Sequence, residues 1–404
     1  MIDEAGQESM RAGPEERPSV GKGWRLAALL VMASASVMHP APVRAQTSTA
    51  STSGAQRPRS ENQDDKRDEK ADAALIERTH REEGEAILAL ADAALAGKPA
   101  PSDFALSWQN DFVKAQRGTF VPFTLTVDAS RFARPSALVY VRAARRVAPI
   151  AGEATRGDRR EPPDFAVDAI FPVDLAGERA GPTRISRGFS VDPGDYDVFV
   201  VMRERVEPGV AGGRPVASVL RQALAVPDFG SAELTTSTLI LADRLTPLRE
   251  AVPADRLAER PYAIGLNEIT PAADRRFRRD EELIVVFLVY NPTVTSERQF
   301  DLKVEYHFFR HSGSGTRTGE GDRARHPGTE PTGETYFNRT EPQRFNPALM
   351  GPSFDPRSGE PVMAGQVVPL AGFEVGEYRL DVQVTDLLTG KSVSRDVVFT
   401  VGSL

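Results

Sequence analysis

Histidine is the side chain most often recruited for metal binding and proton transfer, and this chain of 404 residues has five. His39 falls in an apolar N-terminal run and His80 in a helical stretch, which leaves His307, His311 and His326. On a strand, Glu305, His307, Phe309 and His311 share one face. His307 and His311 then stand about 13 Å apart at strand rise, too far for one ion bound at about 2 Å per ligand. A half-exposed strand face is the expected role, and only His326 folding back from its loop would complete a site. Asp192, Asp195 and Asp197, or Asp381 and Asp386, could approach calcium between domains, but no complete oxygen-ligand pattern surrounds them. Gly390-Lys391-Ser392 ends like a phosphate loop. The glycine required five residues earlier is Thr385, however, and the segment joins two strands rather than a strand and a helix. Gly313-Ser314-Gly315 and Gly319-Glu320-Gly321 lack the βαβ unit of a dinucleotide site. No G-x-S-x-G occurs, and Arg156-Gly157-Asp158, the tripeptide read by integrins, is unsurprising in an arginine-rich loop. With no cysteine in the chain, disulfides, thiolate metal sites, a cysteine nucleophile and a lipidated N-terminal cysteine are excluded. No catalytic, cofactor or metal residue is therefore assigned. Paired carboxylates for glycoside hydrolysis are set by three-dimensional spacing and stay open.

The elements that would position such residues begin with a targeting segment. Lys22 and Arg25 precede an apolar run, Leu26 to Met38, too short for a bilayer span of about 20 residues. The run leads through His39-Pro40-Ala41-Pro42 to Val43-Arg44-Ala45. A basic flank, a short apolar core and small residues at the cleavage positions predict a secretory signal peptide over residues 1–45, cut after Ala45. The acidic residues upstream of Lys22 suggest a later start codon, such as Met10. No stable membrane span is expected once the signal is removed. The formal charge of −7 and pI near 5.5 argue against a nucleic-acid partner. Residues 46–70 carry almost no large apolar side chain and read as a disordered spacer. Over 71–98, Leu75, Ile76, Thr79, Ile87, Leu90 and Ala94 recur at helical steps before Gly97 and Pro99. Its narrow stripe, with Glu83 inside it, is expected to pack on the neighbouring domain.

From Phe104 the period changes to two. Val121, Phe123, Leu125 and Val127 alternate with polar residues, and similar strands follow at 165–173, 196–202, 216–224 and 234–241. Short strands separated by turn residues predict an antiparallel sandwich over 103–245, then a linker over 246–260. A second sandwich is expected over 261–404, with a long loop at 312–360. Leu283–Tyr290 is apolar on both faces and should be a doubly covered central strand. Thr389-Gly390-Lys391 predicts a hairpin between the last two strands. The fold class is thus mainly β, two tandem immunoglobulin-like antiparallel β-sandwiches preceded by a short amphipathic helix.

The two halves share a signature. Phe189 to Val198 parallels Phe373 to Leu380, each placing glycine, an acidic residue and tyrosine at a strand start. That is the pattern of a tyrosine corner, where the phenol bonds a loop backbone group. Tyr196 and Tyr378 are accordingly assigned as structural, each hydroxyl stabilising by about 1 kcal/mol.

Several strings also resemble an uncharacterised family of secreted acidobacterial proteins: Asp111-Phe-Val-Lys-Ala-Gln116, Leu224-Ala-Val-Pro-Asp-Phe229, Val286-Phe-Leu-Val-Tyr-Asn291 and Tyr336-Phe-Asn-Arg-Thr-Glu-Pro-Gln343 among them. The closing Glu377-Tyr-Arg-Leu-Asp-Val-Gln-Val-Thr-Asp386 is similar to the last sandwich of GWxTD-domain and von Willebrand factor A-related acidobacterial proteins. Neither a Gly-Trp-x-Thr-Asp string nor an Asp-x-Ser-x-Ser metal motif is present. The resemblance implies export and a sandwich architecture, and transfers no catalytic residue. Taken together, these features predict an exported, non-enzymatic protein that binds another protein or a cell-envelope component. The alternatives are a hydrolase of polysaccharide or peptide with carboxylates in the interdomain cleft, or a carbohydrate-binding module using Tyr306, Tyr336, Phe337 and Phe345. Only Trp108 remains as tryptophan after signal removal, which weakens the last.

Overall fold

The computed structural model describes residues 61–146, 165–175, 182–206, 213–311 and 333–403, with side chains from residue 74 onward. The signal peptide, the first part of the spacer, the Arg156-Gly157-Asp158 tripeptide, both glycine-rich strings and His326 lie outside the described residues.

Helix α1 (Glu61–Leu95) starts ten residues before the expected 71. Glu, Gln, Lys and Arg in its first turns are good helix formers, so part of the expected spacer is helical. Lys98 N–H donates to Ala93 C=O (2.9 Å) and Gly97 N–H to Ala94 C=O (3.0 Å), a Schellman stop. Its Ile87 and Ala91 pack on Leu138, Tyr140 and Val201. Glu83, only 2% exposed, accepts the Val206 N–H at 2.5 Å and the Arg205 guanidinium at 3.1 Å. Farther along, Asp92 pairs with Arg142, which also lies 4.1 Å over the Phe165 ring. The helix is thus clamped to the first sandwich, as its stripe predicts.

That sandwich contains β1 (Leu106–Asn110), β2 (Val113–Lys114), β3 (Thr119–Asp128), β4 (Ser136–Arg145), β5 (Phe165–Asp174), β6 (Pro182–Val191), β7 (Gly194–Glu204) and β8 (Ala217–Val226). One sheet joins β1, β2 and β6 to β3; the facing sheet runs β5-β4-β7-β8. The chain changes sheet after β3, β5 and β6, the Greek-key wiring of immunoglobulin-like sandwiches. Val121, Phe123, Leu125, Val139, Val141, Val198 and Val200 fill the space between the layers.

The second sandwich contains β9 (Thr235–Thr236), β10 (Ile240–Pro247), β11 (Ala263–Ile264), β12 (Asn267–Pro271), β13 (Arg276–Arg278), β14 (Glu282–Tyr290), β15 (Leu302–His311), β16 (Glu334–Arg339), β17 (Gln343–Phe345), β18 (Val362–Pro369), β19 (Gly376–Asp386) and β20 (Ser392–Gly402). Its sheets run β11-β12-β10-β14-β18, with β9 on β14, and β13-β20-β19-β15-β16, with β17 on β15. All of these pairings are antiparallel except β13 with β20. The boundary expected at 245 is displaced: β9 and β10 pair with β14, Ile240 opposite Val286 and Thr236 opposite Val289. Leu239 and Leu241 face the second core while Ile240 and Ala242 face its outer apolar layer, so both faces of this strand belong there. The expected 246–260 linker begins inside β10. Part of the expected loop 312–360 is also ordered, since β16 and β17 pair with β15 and helix α2 (Pro347–Met350) follows. Strand β14 is covered on both sides, by the core and by the layer that meets the first sandwich.

Candidate binding surface at the seam between the sandwiches

Between β1 and β2, Asp111 N–H still donates to Pro122 C=O of β3 (2.9 Å), while the Asp111 side chain and the Phe112 backbone reach the second sandwich. The Asp111 carboxylate, 3% exposed, accepts the Thr238 hydroxyl on one oxygen (3.1 Å) and the Tyr262 hydroxyl on the other (3.1 Å). Phe112 N–H donates to Thr238 Oγ1 at 3.0 Å, and Thr238 N–H returns a bond to Phe112 C=O at 3.2 Å. Lys114 N–H donates to the Tyr290 hydroxyl (3.0 Å) and Lys114 Nζ to Asn291 Oδ1 (3.1 Å). Beneath these bonds Phe112, Val113, Phe229, Leu288 and Tyr290 form one apolar cluster. Burial pushes the Asp111 carboxyl above its ordinary range, while Arg275 and the two hydroxyls pull the other way. Burial and the Asp111 charge push the Tyr262 phenol up. A second patch of the seam holds Arg184 against Asp243 (3.0 Å) and Pro271 C=O (2.7 Å). There Gly188 N–H donates to Ala258 C=O at 3.0 Å. A β-carbon on Gly188 would stand 2.4 Å from the Phe120 ring and 3.0 Å from Pro261.

Two clefts flank the seam. One, about 390 Å³, is lined by Trp108, Gln109, Asn110, Gln222, Asp274 and Arg275. The other, about 270 Å³, is lined by Thr124, Arg184, Ser186, Arg260, Tyr262 and Glu268. In the second the cations are occupied: Arg184 as above, and Arg260 by Glu268. The first cleft lies beside β8, which ends its sheet on that side.

The residues singled out from sequence lie mostly elsewhere. Tyr196 donates to Asp192 C=O at 2.9 Å. The Tyr378 hydroxyl donates to Glu374 C=O and accepts Glu374 N–H, both at 3.0 Å. Gly194 (φ 142°) and Gly376 (φ 158°) precede them, in backbone that favours glycine. Burial raises both phenols above their ordinary range. His307 packs beside Tyr336 with ring centroids 6.3 Å apart, and among the described residues no group of three metal-ligating side chains is assembled. Asp197 is taken by Arg221 (2.8 Å) and Arg146 (3.0 Å), which hold its carboxyl below the usual range, Arg221 most strongly. Asp386 caps the N–H groups of Thr293 (2.7 Å) and Leu388 (2.9 Å). Of the four aromatics weighed for sugar binding, Tyr306 and Phe345 are buried and Phe337 packs on Phe373 and Tyr378, leaving Tyr336 exposed. Asp111, Thr238 and Tyr262 carry no local motif that marks them in sequence.

No helix among the described residues is long and apolar enough to cross a membrane. No protein-family model matches the chain, and no curated protein matches it. Among solved structures, a mutant Salmonella alpha-2-macroglobulin is similar at 14% identity and TM-score 0.18, over 76% of this chain and 17% of that one. Native Escherichia coli alpha-2-macroglobulin is similar at 12% identity and TM-score 0.18, over 75% of this chain and 16% of that one. The same E. coli protein activated by porcine elastase gives 10% identity and TM-score 0.19, over 76% and 35%. This chain therefore spans about a third or less of those proteins, and likenesses at these TM-scores carry no functional argument.

Proposed function

We propose that this is an exported protein that acts by binding another protein or a cell-envelope component, without catalysing a reaction. The observation that carries the reading is the sealed seam. Hydrogen bonds and an apolar cluster hold the two sandwiches in one geometry, so strand edges and clefts from both form a composite surface of fixed shape. Preorganisation of this kind lowers the ordering cost of association. The only raised carboxyl at the junction among the described residues, Asp111, has both oxygens engaged and is shielded from solvent, which suits a strut better than a general acid. Affinity capture from the native envelope of the source organism, using the full chain, should recover a stoichiometric partner. Repeated recovery of the chain alone would contradict the reading.

A further inference from the structure

Strand β8 presents an open polypeptide edge. We propose that this edge and the cleft beside it dock an extended segment of another protein as an added antiparallel strand, with an acidic side chain of that segment meeting Arg275. The inference rests on the binding reading above and names its site and class of partner.

The first part of β8 is already paired in this way within the chain. Asp103 N–H donates to Ala217 C=O (3.1 Å), Val219 N–H donates to Pro101 C=O (3.0 Å), and Ser102 bridges Ser218 in antiparallel register. These bonds establish that the odd-numbered residues of β8 turn their backbone groups away from β7. The pairing ends at Pro101, with Pro99 just before it, because proline has no N–H to donate. Beyond Val219 the outward set is Arg221, Ala223 and Ala225, and among the described residues no strand is hydrogen-bonded to it, β1 passing nearby in the facing sheet. Of these groups, the Ala223 C=O is met by its neighbour's amide, Gln222 Nε2, at 3.0 Å.

Edges are ordinarily blunted by proline, charge or a bulge. The opposite edge of the same sheet, β5, has all three: Pro172, Asp168 and a register shift against Ala143 and Ala144. From Leu220 to Val226, β8 has no proline and pairs with β7 without a shift. Its one charge, Arg221, is turned onto Asp197 at 2.8 Å.

Such an edge supplies main-chain affinity, and the neighbouring cleft supplies side-chain selection. Its Trp108 indole stacks on Phe123 at 4.2 Å. Arg275 holds a left-handed backbone (φ 56°), where glycine or asparagine is easier. Asp274 is engaged by the Arg276 N–H at 3.0 Å. Arg275 influences Asp111 at a distance but forms no ion pair with any described residue, so it is the uncommitted charge in the cleft. A second copy of this chain, paired edge to edge, would add a second cleft in which the uncommitted charge is again Arg275. A like charge offers that cation no partner, which favours an acidic segment of a different protein.

Random heptapeptides displayed on phage and selected against the full chain provide the test. Enriched peptides should carry Asp or Glu, and a synthetic copy of the leading one is the probe. Its affinity should fall by about tenfold or more when alternate backbone nitrogens are methylated, and likewise against Ala223→Pro. Arg275→Gln should cost about tenfold and flatten the salt dependence. Ala223→Pro removes an N–H that faces away from β7, a position an edge strand tolerates. The methylated peptides leave the protein unaltered and so read the edge independently of folding. Absence of enrichment, peptides indifferent to methylation and to Ala223→Pro, or a dimer of the chain abolished by Ala223→Pro would each overturn the inference. If the envelope partner is captured equally well by Ala223→Pro, the binding reading survives and the edge is removed from it.

Discussion

Tyr196 and Tyr378 stand at equivalent strand starts, and each closes a loop four residues upstream. Tyr196→Phe should lower unfolding free energy in urea by about 1 kcal/mol. Tyr378→Phe should cost more, because its hydroxyl serves both the N–H and the C=O of Glu374; unchanged midpoints would deny the corners their role. Asp111 behaves differently. Burial raises its carboxyl above the unfolded value, so its contribution to stability is complete below the unfolded pKa and is lost as pH rises through the folded one. Asp111→Asn, which does not titrate, should therefore gain on the wild type in melting temperature as pH rises above about 4. A gap that is flat, or that moves the other way, would place the carboxylate in water. The tyrosines were legible in sequence because their partners are local. Asp111 was not, since Thr238 and Tyr262 lie 127 and 151 residues away.

At the level of elements, alternation revealed the strands that have one wet face and hid the others. Strand β4 reads Leu138-Val139-Tyr140-Val141 without alternation, because α1 covers its outer face and the core its inner one. At β14 the same double covering was legible, because apolar residues on both faces of Leu283–Tyr290 mark a central strand. The expected strand at 234–241 reaches only the first two residues of β10, and its place in the second sandwich was not legible, since pairing partners carry no local signal. The helix depends on one buried carboxylate. Glu83→Ala would leave the Val206 N–H and part of the Arg205 guanidinium without their acceptor, a loss of about 1–3 kcal/mol. Hydrogen exchange over residues 75–95 should accelerate while exchange in the second sandwich stays as it was. Protection unchanged in the helix would show that its apolar stripe and the Asp92–Arg142 pair dock it without Glu83.

For the whole molecule, the seam fixes the two sandwiches in one geometry, which is what the proposed binding role requires. Gly188→Ala places a methyl group against Phe120 and Pro261, and should cost about 1–3 kcal/mol by overpacking. The wild type should unfold in a single transition, while the variant shows the sandwiches separating, with a larger radius of gyration in solution scattering. Two transitions in the wild type would mean that the seam transmits no stability. In the proposed reading, β8 receives a strand from another protein. Hydrogen exchange of the full chain with and without its captured partner tests that claim most directly. New protection is expected at the amides of Arg221, Ala223 and Ala225; protection elsewhere, with these three still exchanging freely, would contradict docking at β8.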